Sequence, residues 1–161
     1  MENPTAAVEV LRQAGERGDA DAVGAVLADD VVFHSPLTDR LTFQGRDEVV
    51  ALHRDIFAVL EDLHTGEPLT RGDTQAFSFR AQVRGVELEA MNLVRCDEHG
   101  KIAELTVFIR PLPALATLFA TLPPRVSTRR RGPLIGTLVA CVGAPLALAF
   151  RTADRLAPKF L

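Results

Sequence analysis

The sequence predicts an α+β domain followed by a helical extension, and three observations lead to this prediction. Apolar residues recur at helical spacing over the first 60 residues, whereas beyond them they alternate with polar residues, as in half-buried strands. Two turn signals, Arg84-Gly85 and Asp97–Gly100, separate the alternating segments and indicate an antiparallel meander. The charge also changes sign: residues 1–111 hold 11 basic and 20 acidic residues, whereas residues 112–161 hold 7 and 1. We therefore expect an α+β domain at 1–111 and a basic, apolar helical extension at 112–161.

Three helices are expected in the first part of the chain. The first ends at Gly18, and Asp19 is placed to cap a second helix that runs through Ala28. A short buried strand, Val31–Phe33, should follow, with another short strand at Leu41–Gly45. The third helix is indicated by apolar residues at offsets of three and four, namely Val49, Leu52, His53, Ile56, Phe57 and Leu60.

Strands are expected in the second part of the domain. Glu61–Arg71 is interpreted as one strand. Phe77–Val83 alternates apolar and polar residues, and Val86–Cys96 and Lys101–Arg110 continue the pattern after each turn. Helices followed by an antiparallel meander define an α+β domain.

The composition argues against several classes of function. Cys96 and Cys141 are far apart and belong to no metal-ligand spacing, so neither a structural metal site nor a disulfide framework is expected. The chain contains no phosphate-binding or dinucleotide-binding glycine motif, and we expect no cofactor. A mostly acidic domain gives little support for nucleic-acid binding. The first residues lack the order of a signal peptide, so a cytoplasmic location is expected.

Three local phrases carry a resemblance to a known family. They are GDADAVGAVLADDVVFHSP, FQGRDEVV and MNLVRCDEHGKIAELTVFIRP, at residues 18–36, 43–50 and 91–111. In this order they resemble the SnoaL-like branch of bacterial proteins in the nuclear-transport-factor-2-like superfamily. The resemblance implies a cone of three helices wrapped by a curved, mixed and mostly antiparallel sheet, with an apolar pocket at one end. It does not specify chemistry, because that fold hosts isomerases, cyclases, epoxide hydrolases and proteins without catalysis.

The catalytic residue sets of this superfamily are largely missing. Where the steroid isomerases place a carboxylate base, this chain has Ser35, which is too weak a base on its own. Their two oxyanion donors correspond to Leu11, which cannot donate, and Asn92, which can. The Asp-Arg-Asp set of limonene-epoxide hydrolases is also absent around Asn92 and Arg110. The resemblance therefore favours neither of these two activities.

The remaining candidates for chemistry are His34 and Asn92. His34 follows a buried strand and would titrate near neutral pH, while Asn92 interrupts an apolar strand face. Both have structural alternatives: a histidine hydrogen-bonded at the domain rim, and an amide bonded to backbone. The residues expected to bind a ligand are Phe33, His34, His53, Phe57, Asn92 and Phe108. We expect a small apolar ligand, with catalysis left open, and the alternative is a cyclase-type or isomerase-type enzyme using His34 and Asn92.

The extension allows several interpretations. Leu112–Leu122 is expected as a helix that Pro123-Pro124 ends, and Gly132–Phe150 is a run of 19 residues without charge. A later stripe carries Arg151, Arg155 and Lys159 opposite apolar residues. The extension could dock on its own domain, on a partner subunit, or on a membrane through residues 129–161. A third interpretation is thus a membrane-associated accessory protein that acts through its tail. We also expect a homodimer formed through the sheet.

Overall fold

The structure, a computed structural model, describes residues 4–40 and 42–156 of the chain. The first half of the domain mixes helices with two strands, the second half of the domain is a run of five strands, and two helices follow. This separation of helices from an antiparallel run of strands is typical of an α+β domain. In chain order they are α1 (Pro4–Arg17), α2 (Ala20–Val26), β1 (Leu27–His34), β2 (Phe43–Gln44), α3 (Arg46–Phe57), β3 (Glu61–Thr65), β4 (Leu69–Arg71), β5 (Thr74–Val83), β6 (Val86–Cys96), β7 (Ile102–Arg110), α4 (Leu112–Arg131) and α5 (Pro133–Leu156).

The strands form one mixed, curved sheet in the order β2-β1-β7-β6-β5-β3, with β4 also pairing with β5. All pairings are antiparallel except β1 with β7. The β5–β6 reversal is tight because Arg84 and Gly85 both adopt positive φ, 49° and 69°. The predicted α+β cone with a mostly antiparallel meander is confirmed.

Several predicted boundaries are wrong. The second helix ends at Val26 rather than Ala28, and the strand after it is longer than predicted because it begins at Leu27. Glu61–Arg71 is two strands that pair with different parts of β5: Gly66 still donates its N–H to the Ser78 carbonyl oxygen, and Pro68, which has no N–H, lies in the break before Leu69. The short strand expected at Leu41–Gly45 is only Phe43–Gln44, and Leu41 lies outside the described residues.

The largest difference concerns the helix after the sheet. Pro123-Pro124 does not end α4, which continues to Arg131. An interior proline removes a helix hydrogen bond and costs about 3 kcal/mol or more. The part beyond the prolines is nevertheless held by tertiary contacts, because Val126 is buried in the core and Arg129 is paired with carboxylates of α3.

The core joins α4 to the domain. The buried side chains between the first three helices and the sheet include Val8, Val23, Leu52, Val94 and Leu105. Ala114, Leu118, Leu122 and Val126 of α4 belong to the same cluster. Helix α5 packs on the other side of α4, where Ala116, Ala120 and Ala147 form a separate small cluster. The first helix of the extension is therefore part of the packed domain.

Candidate functional site

An apolar cavity of about 220 Å³ lies between α1, α3, α4 and the sheet. Its walls come from alternate residues of the strands and from the inward faces of the helices. The lining residues are Leu11, Gly15, Phe33, Ser35, Pro36, Leu37, Thr38, Phe43, Leu52, His53, Ile56, Phe57, Leu60, Leu63, Thr65, Phe77, Phe79, Asn92, Leu105, Val107, Ile109, Leu118, Phe119, Leu122, Pro123, Val126 and Ser127. Six of these 27 residues are polar (Ser35, Thr38, His53, Thr65, Asn92 and Ser127) and the other 21 are apolar, so the cavity suits a mainly hydrophobic molecule.

Asn92 is a polar group in an otherwise apolar strand layer. It pairs across the sheet with Phe77 on β5 and Val107 on β7, and all three line the cavity. Within residues 4–40 and 42–156, the Asn92 side-chain amide makes no hydrogen bond to another residue, and Asn92 is half-buried. An amide in such a place offers two donors and an acceptor to whatever fills the cavity.

His53 is the titratable group in the cavity wall. It is only 5% exposed, and its ring packs edge-on against Phe33 and Phe57, with centroids 5.9 and 5.7 Å away. Nδ1 lies 2.8 Å from the carbonyl oxygen of Val49, so Nδ1 carries the proton and donates it. Burial lowers the pKa of His53, which the hydrogen bond to Val49 only partly offsets. The ring is therefore neutral at physiological pH, and Nε2 is left as an acceptor.

The prediction that His34 contributes to the cavity is wrong. Phe33 faces the cavity and side chains of a strand alternate, so His34 lies on the outer face of the sheet. There its Nε2 lies 2.8 Å from Oε1 of Glu104, whose other oxygen accepts a hydrogen bond from Arg95. Hydrogen bonds from Arg95 and His34 lower the pKa of Glu104. His34 belongs to a surface ion cluster.

Phe108 is likewise misassigned as a ligand-binding residue. Its neighbours Val107 and Ile109 line the cavity, and Phe108 is 57% exposed on the opposite face of β7. The other sequence candidates, Phe33, His53, Phe57 and Asn92, all line the cavity, and their contact with a ligand stays a prediction.

The three positions compared with the steroid-isomerase set converge on the same cavity. Leu11 of α1, Ser35 after β1 and Asn92 of β6 all line it. In the correspondence that the resemblance implies, the cavity holds a leucine and a serine at the positions where that chemistry needs a phenol and a carboxylate. Of the described residues, no three His, Cys, Asp or Glu side chains are grouped to hold a metal ion.

Helix α4 closes one side of the cavity, a role that the sequence interpretation left open. Its contribution to the cavity wall consists of Leu118, Phe119, Leu122, Pro123 and Val126. The available signal was the apolar stripe of the predicted helix, but its end at Pro123 was wrongly assigned. The cavity is therefore complete only with residues that follow the sheet.

A charged cluster fixes the far end of α4 to α3. Arg129 Nε donates to Asp55 at 2.8 Å, and Arg129 and Arg130 both donate to Glu48, at 3.1 and 2.7 Å. The Arg130 guanidinium also lies 4.8 Å from the ring centroid of Phe43, a cavity residue. Burial opposes the ionisation of Glu48, but hydrogen bonds from Arg129 and Arg130 outweigh it and lower the pKa of Glu48.

Comparison with known proteins agrees with the fold and the cavity. A family model for the SnoaL-like domain matches residues 8–105. This chain belongs to the SnoaL-like domain family. That family lies within the nuclear-transport-factor-2-like superfamily, whose members bind small hydrophobic ligands or act as isomerases or cyclases. In this SnoaL-like protein, α4 and α5 lie beyond the matched residues.

Solved structures resemble this SnoaL-like protein closely in fold. One is a protein with a cystatin-like fold from Silicibacter pomeroyi DSS-3, at 26% identity and a TM-score of 0.73, covering 78% of this chain and 88% of that one. Another is a steroid delta-isomerase from Pseudomonas aeruginosa, at 24% identity and a TM-score of 0.73, covering 81% of this chain and 96% of that one. No curated protein matches the chain.

Proposed function

We propose that this protein binds a small, mainly hydrocarbon molecule in its cavity. The observation that carries the proposal is the amide of Asn92 in an apolar wall, because it makes no hydrogen bond to another described residue and its two donors and one acceptor are available to a ligand. The volume is below the roughly 300–1,000 Å³ of pockets for drug-sized molecules. It suits a single ring system or a short branched chain.

The polar groups of the cavity define the rest of the ligand. Asn92 can donate to a carbonyl oxygen, and the unprotonated Nε2 of His53 can accept from a hydroxyl. None of the described residues that line the cavity carries a full charge at neutral pH. A neutral ligand with one carbonyl or hydroxyl group is therefore favoured over a charged one.

The test compares ligands that differ only in that polar group. Binding of a cyclic ketone, the matching alcohol and the matching hydrocarbon would be measured by calorimetry with the wild type and with Asn92→Leu. We expect Asn92→Leu to weaken binding of the ketone by about tenfold. Binding of the hydrocarbon should be unchanged or tighter. Leu69→Asn, at an exposed position of β4 that does not line the cavity, is the matched control. Equal binding of the ketone by wild type and Asn92→Leu would contradict the proposal.

A proton-transfer enzyme is the second candidate, and His53 is the residue that favours it. A neutral, buried imidazole and an amide that line the same cavity are the groups that proton transfer at a carbonyl compound uses, as general base and as carbonyl polariser. His53 thus takes the place that the sequence interpretation gave to His34. Exchange of the α-protons of a bound ketone with deuterium, followed by NMR, tests this role. His53→Phe should abolish exchange while the ketone still binds, and exchange that persists in this variant would exclude it.

A homodimer through the outer face of the sheet remains our proposal for the assembly. Met91, Leu93 and Phe108 lie exposed on adjacent strands of that face, and Met91 pairs directly with Phe108. Around them, Arg95 pairs with Glu104 and Arg80 with Glu89. A patch with an apolar centre and both charges at its rim can match a second copy of itself.

A further inference from the structure

Helix α5 has one face made for close packing and another that is apolar and uncovered. On the packed face, a Cβ on Gly143 would lie 2.9 Å from Ala120 Cα, and one on Gly136 would lie 2.9 Å from the Pro124 carbonyl oxygen. Glycine at these two positions therefore lets α5 approach α4 closely. The remaining surface of α5 needs a separate explanation.

The uncovered face is large and hydrophobic. Of the described residues of α5, eight large apolar side chains are exposed: Leu134, Ile135, Leu138, Val142, Leu146, Leu148, Phe150 and Leu156. No charged residue occurs between Gly132 and Phe150. An 18-residue window of this helix has a mean hydropathy of 2.0 with only 17% of it buried. Soluble monomers rarely expose such a continuous surface, which marks a site of contact.

The charges that border this face point to the partner. Arg131 lies at one end of the uncharged run, and Arg151 and Arg155 lie at the other. Unlike Arg129 and Arg130, these three have no carboxylate partner within the described part of the chain. An apolar face between unpaired arginines complements the phosphates and acyl chains of an anionic membrane surface.

A second copy of the chain fits these charges poorly. If two α5 helices packed antiparallel, Arg131 of each copy would meet Arg151 and Arg155 of the other; packed parallel, like ends would meet. Asp154 is the single acidic residue after Glu104, so little negative charge is available to relieve the repulsion. Charge therefore favours lipid over self-association.

The packing of α4 against the domain also determines the orientation in which α5 can contact a membrane. Leu118, Leu122 and Val126 of α4 are buried in the domain core, and Arg129 is tied to α3. Because α5 lies along α4 through Gly136 and Gly143, it cannot cross a bilayer without leaving its partner helix. Although α5 is long enough to span, the structure presents it side-on.

We propose that α5 docks this protein on an anionic membrane surface, lying in the plane of the interface. Its glycine and alanine face stays on α4 and its leucine-rich face enters the headgroup and acyl boundary, to a depth of about 5–10 Å. Because α4 forms a wall of the cavity, docking also brings that cavity next to the membrane. Apolar molecules dissolved in the bilayer are then the nearest source of ligand.

The chain offers a selective probe for this contact. Cys141, near the middle of α5, is exposed, whereas Cys96 is buried and burial raises the pKa of its thiol. A nitrobenzoxadiazole label should therefore attach to Cys141. On adding vesicles of phosphatidylcholine with phosphatidylglycerol, we expect increased emission that weakens at high salt. Spin-labelled lipids should quench it more strongly when the spin label is near the headgroup than at the chain end.

Two matched variants test the face itself. Leu138→Glu places a charge on the 63% exposed Leu138 of α5, and Leu69→Glu places one on the 76% exposed Leu69 of β4. Leu138→Glu should weaken vesicle binding by about tenfold, since a carboxylate resists burial in lipid, whereas Leu69→Glu should not. If Leu138→Glu failed to fold, Arg151→Ala with Arg155→Ala would serve, with weaker binding to the anionic vesicles expected.

The outcomes that would overturn the proposal are distinct. Equal binding by Leu138→Glu and wild type, or no vesicle response at all, would exclude docking through α5. Stronger quenching from the chain end would show α5 crossing the bilayer. Light scattering that shows a dimer dissociated by Leu138→Glu, without a vesicle response, would identify a second copy as the occupant. Ligand binding in the cavity is measured separately in solution, so docking and the proposed function can fail independently.

Discussion

At the scale of single residues, His53 combines structural and chemical properties. Its Nδ1 proton is committed to Val49 and its ring is held between Phe33 and Phe57, so its orientation is fixed. Burial disfavours the charged form and lowers the pKa. The same burial that keeps the imidazole neutral and oriented in the apolar wall also lowers the stability of the folded protein at acidic pH.

We predict that His53 makes the protein less stable as the pH falls below 6.5, the unperturbed value for histidine. Between pH 6.5 and the lowered pKa, His53 is protonated in the unfolded chain but stays neutral in the folded chain. The free energy of unfolding therefore drops by up to about 1.4 kcal/mol per pH unit over this range. His53→Phe should remove this part of the slope. Urea unfolding from pH 7.5 to 5 measures it.

Substitution of an exposed histidine, His99, is the control for that experiment. His99 lies in the β6–β7 turn with an exposed side chain, and His99→Gln should leave the pH dependence close to that of the wild type. An identical slope for wild type and His53→Phe would show that the buried ring does not resist protonation.

At the scale of elements, α4 is held by two kinds of contact. Its apolar side chains fill the cavity wall, and its arginines pair with carboxylates on α3. Glu48 and Asp55 are two turns apart on one side of α3, which is why both can meet Arg129. The ion cluster therefore sets the position of α4 after the two prolines.

We predict that Arg129→Met destabilises the protein by about 1.5–3 kcal/mol, because Asp55 and Glu48 each lose a charged hydrogen bond. Arg131→Met is the matched control and should change stability by about 0.5 kcal/mol or less. Both are measured by urea unfolding at neutral pH. The lowered pKa of Glu48 means that the cluster contributes fully above its unperturbed value of 4.5 and is lost as pH falls through the lowered pKa. The two variants should therefore converge in acid, and equal stability at neutral pH would show that the cluster does not hold α4.

We predict opposite results from two truncations. Ending the chain after Gly132 removes α5 alone and should leave a folded protein that still binds its ligand. Ending it after Pro111 also removes Leu118, Leu122 and Val126, each worth about 1.5–3 kcal/mol of burial, and opens the cavity. Circular dichroism melts and light scattering should show cooperative unfolding for the first and aggregation for the second. A stable, monodisperse product ending at Pro111 would mean that α4 is dispensable.

At the scale of the whole molecule, the two apolar outer surfaces serve different purposes in our proposals. The face of α5 is bordered by arginines that have no carboxylate partner among the described residues, whereas the face around Phe108 is bordered by pairs of opposite charge. A border of one sign suits an anionic surface and a balanced border suits a second copy. We therefore propose that the sheet face of the acidic domain contacts a second copy of the chain, and that the α5 face of the basic extension contacts an anionic membrane.

We predict that Phe108→Glu converts a sheet-mediated dimer to a monomer and leaves the fold intact, because Phe108 contributes nothing to the cavity. Light scattering coupled to gel filtration measures the change, and Leu69→Glu, on a strand outside the patch, is the control. A wild type that is monomeric at every concentration would refute the dimer.

Much of the fold and part of the site could be predicted from the order of residues. Alternation along β5 to β7 indicated the meander and placed Asn92 on the inward face, because a strand has a strict period of two. The same rule excludes His34, since it neighbours Phe33, which was expected to be buried, whereas Phe108 was placed in the cavity without a face being assigned to its strand. The error arose from assigning residues by chemical type before assigning them to a face.

What the sequence by itself determined is the class of fold, the family, the apolar character of the cavity and the change of charge after the sheet. The fold class and the change of charge follow from local periodicity and composition, which each segment carries on its own, whereas the family and the apolar cavity are what the resemblance of three local phrases implies. Only the tertiary structure decided that α4 continues through Pro123 and Pro124 and closes the cavity. That outcome depends on contacts between residues far apart in the sequence, such as Arg129 with Asp55 and with Glu48, 74 and 81 positions away, which outweigh a strong local signal to end the helix.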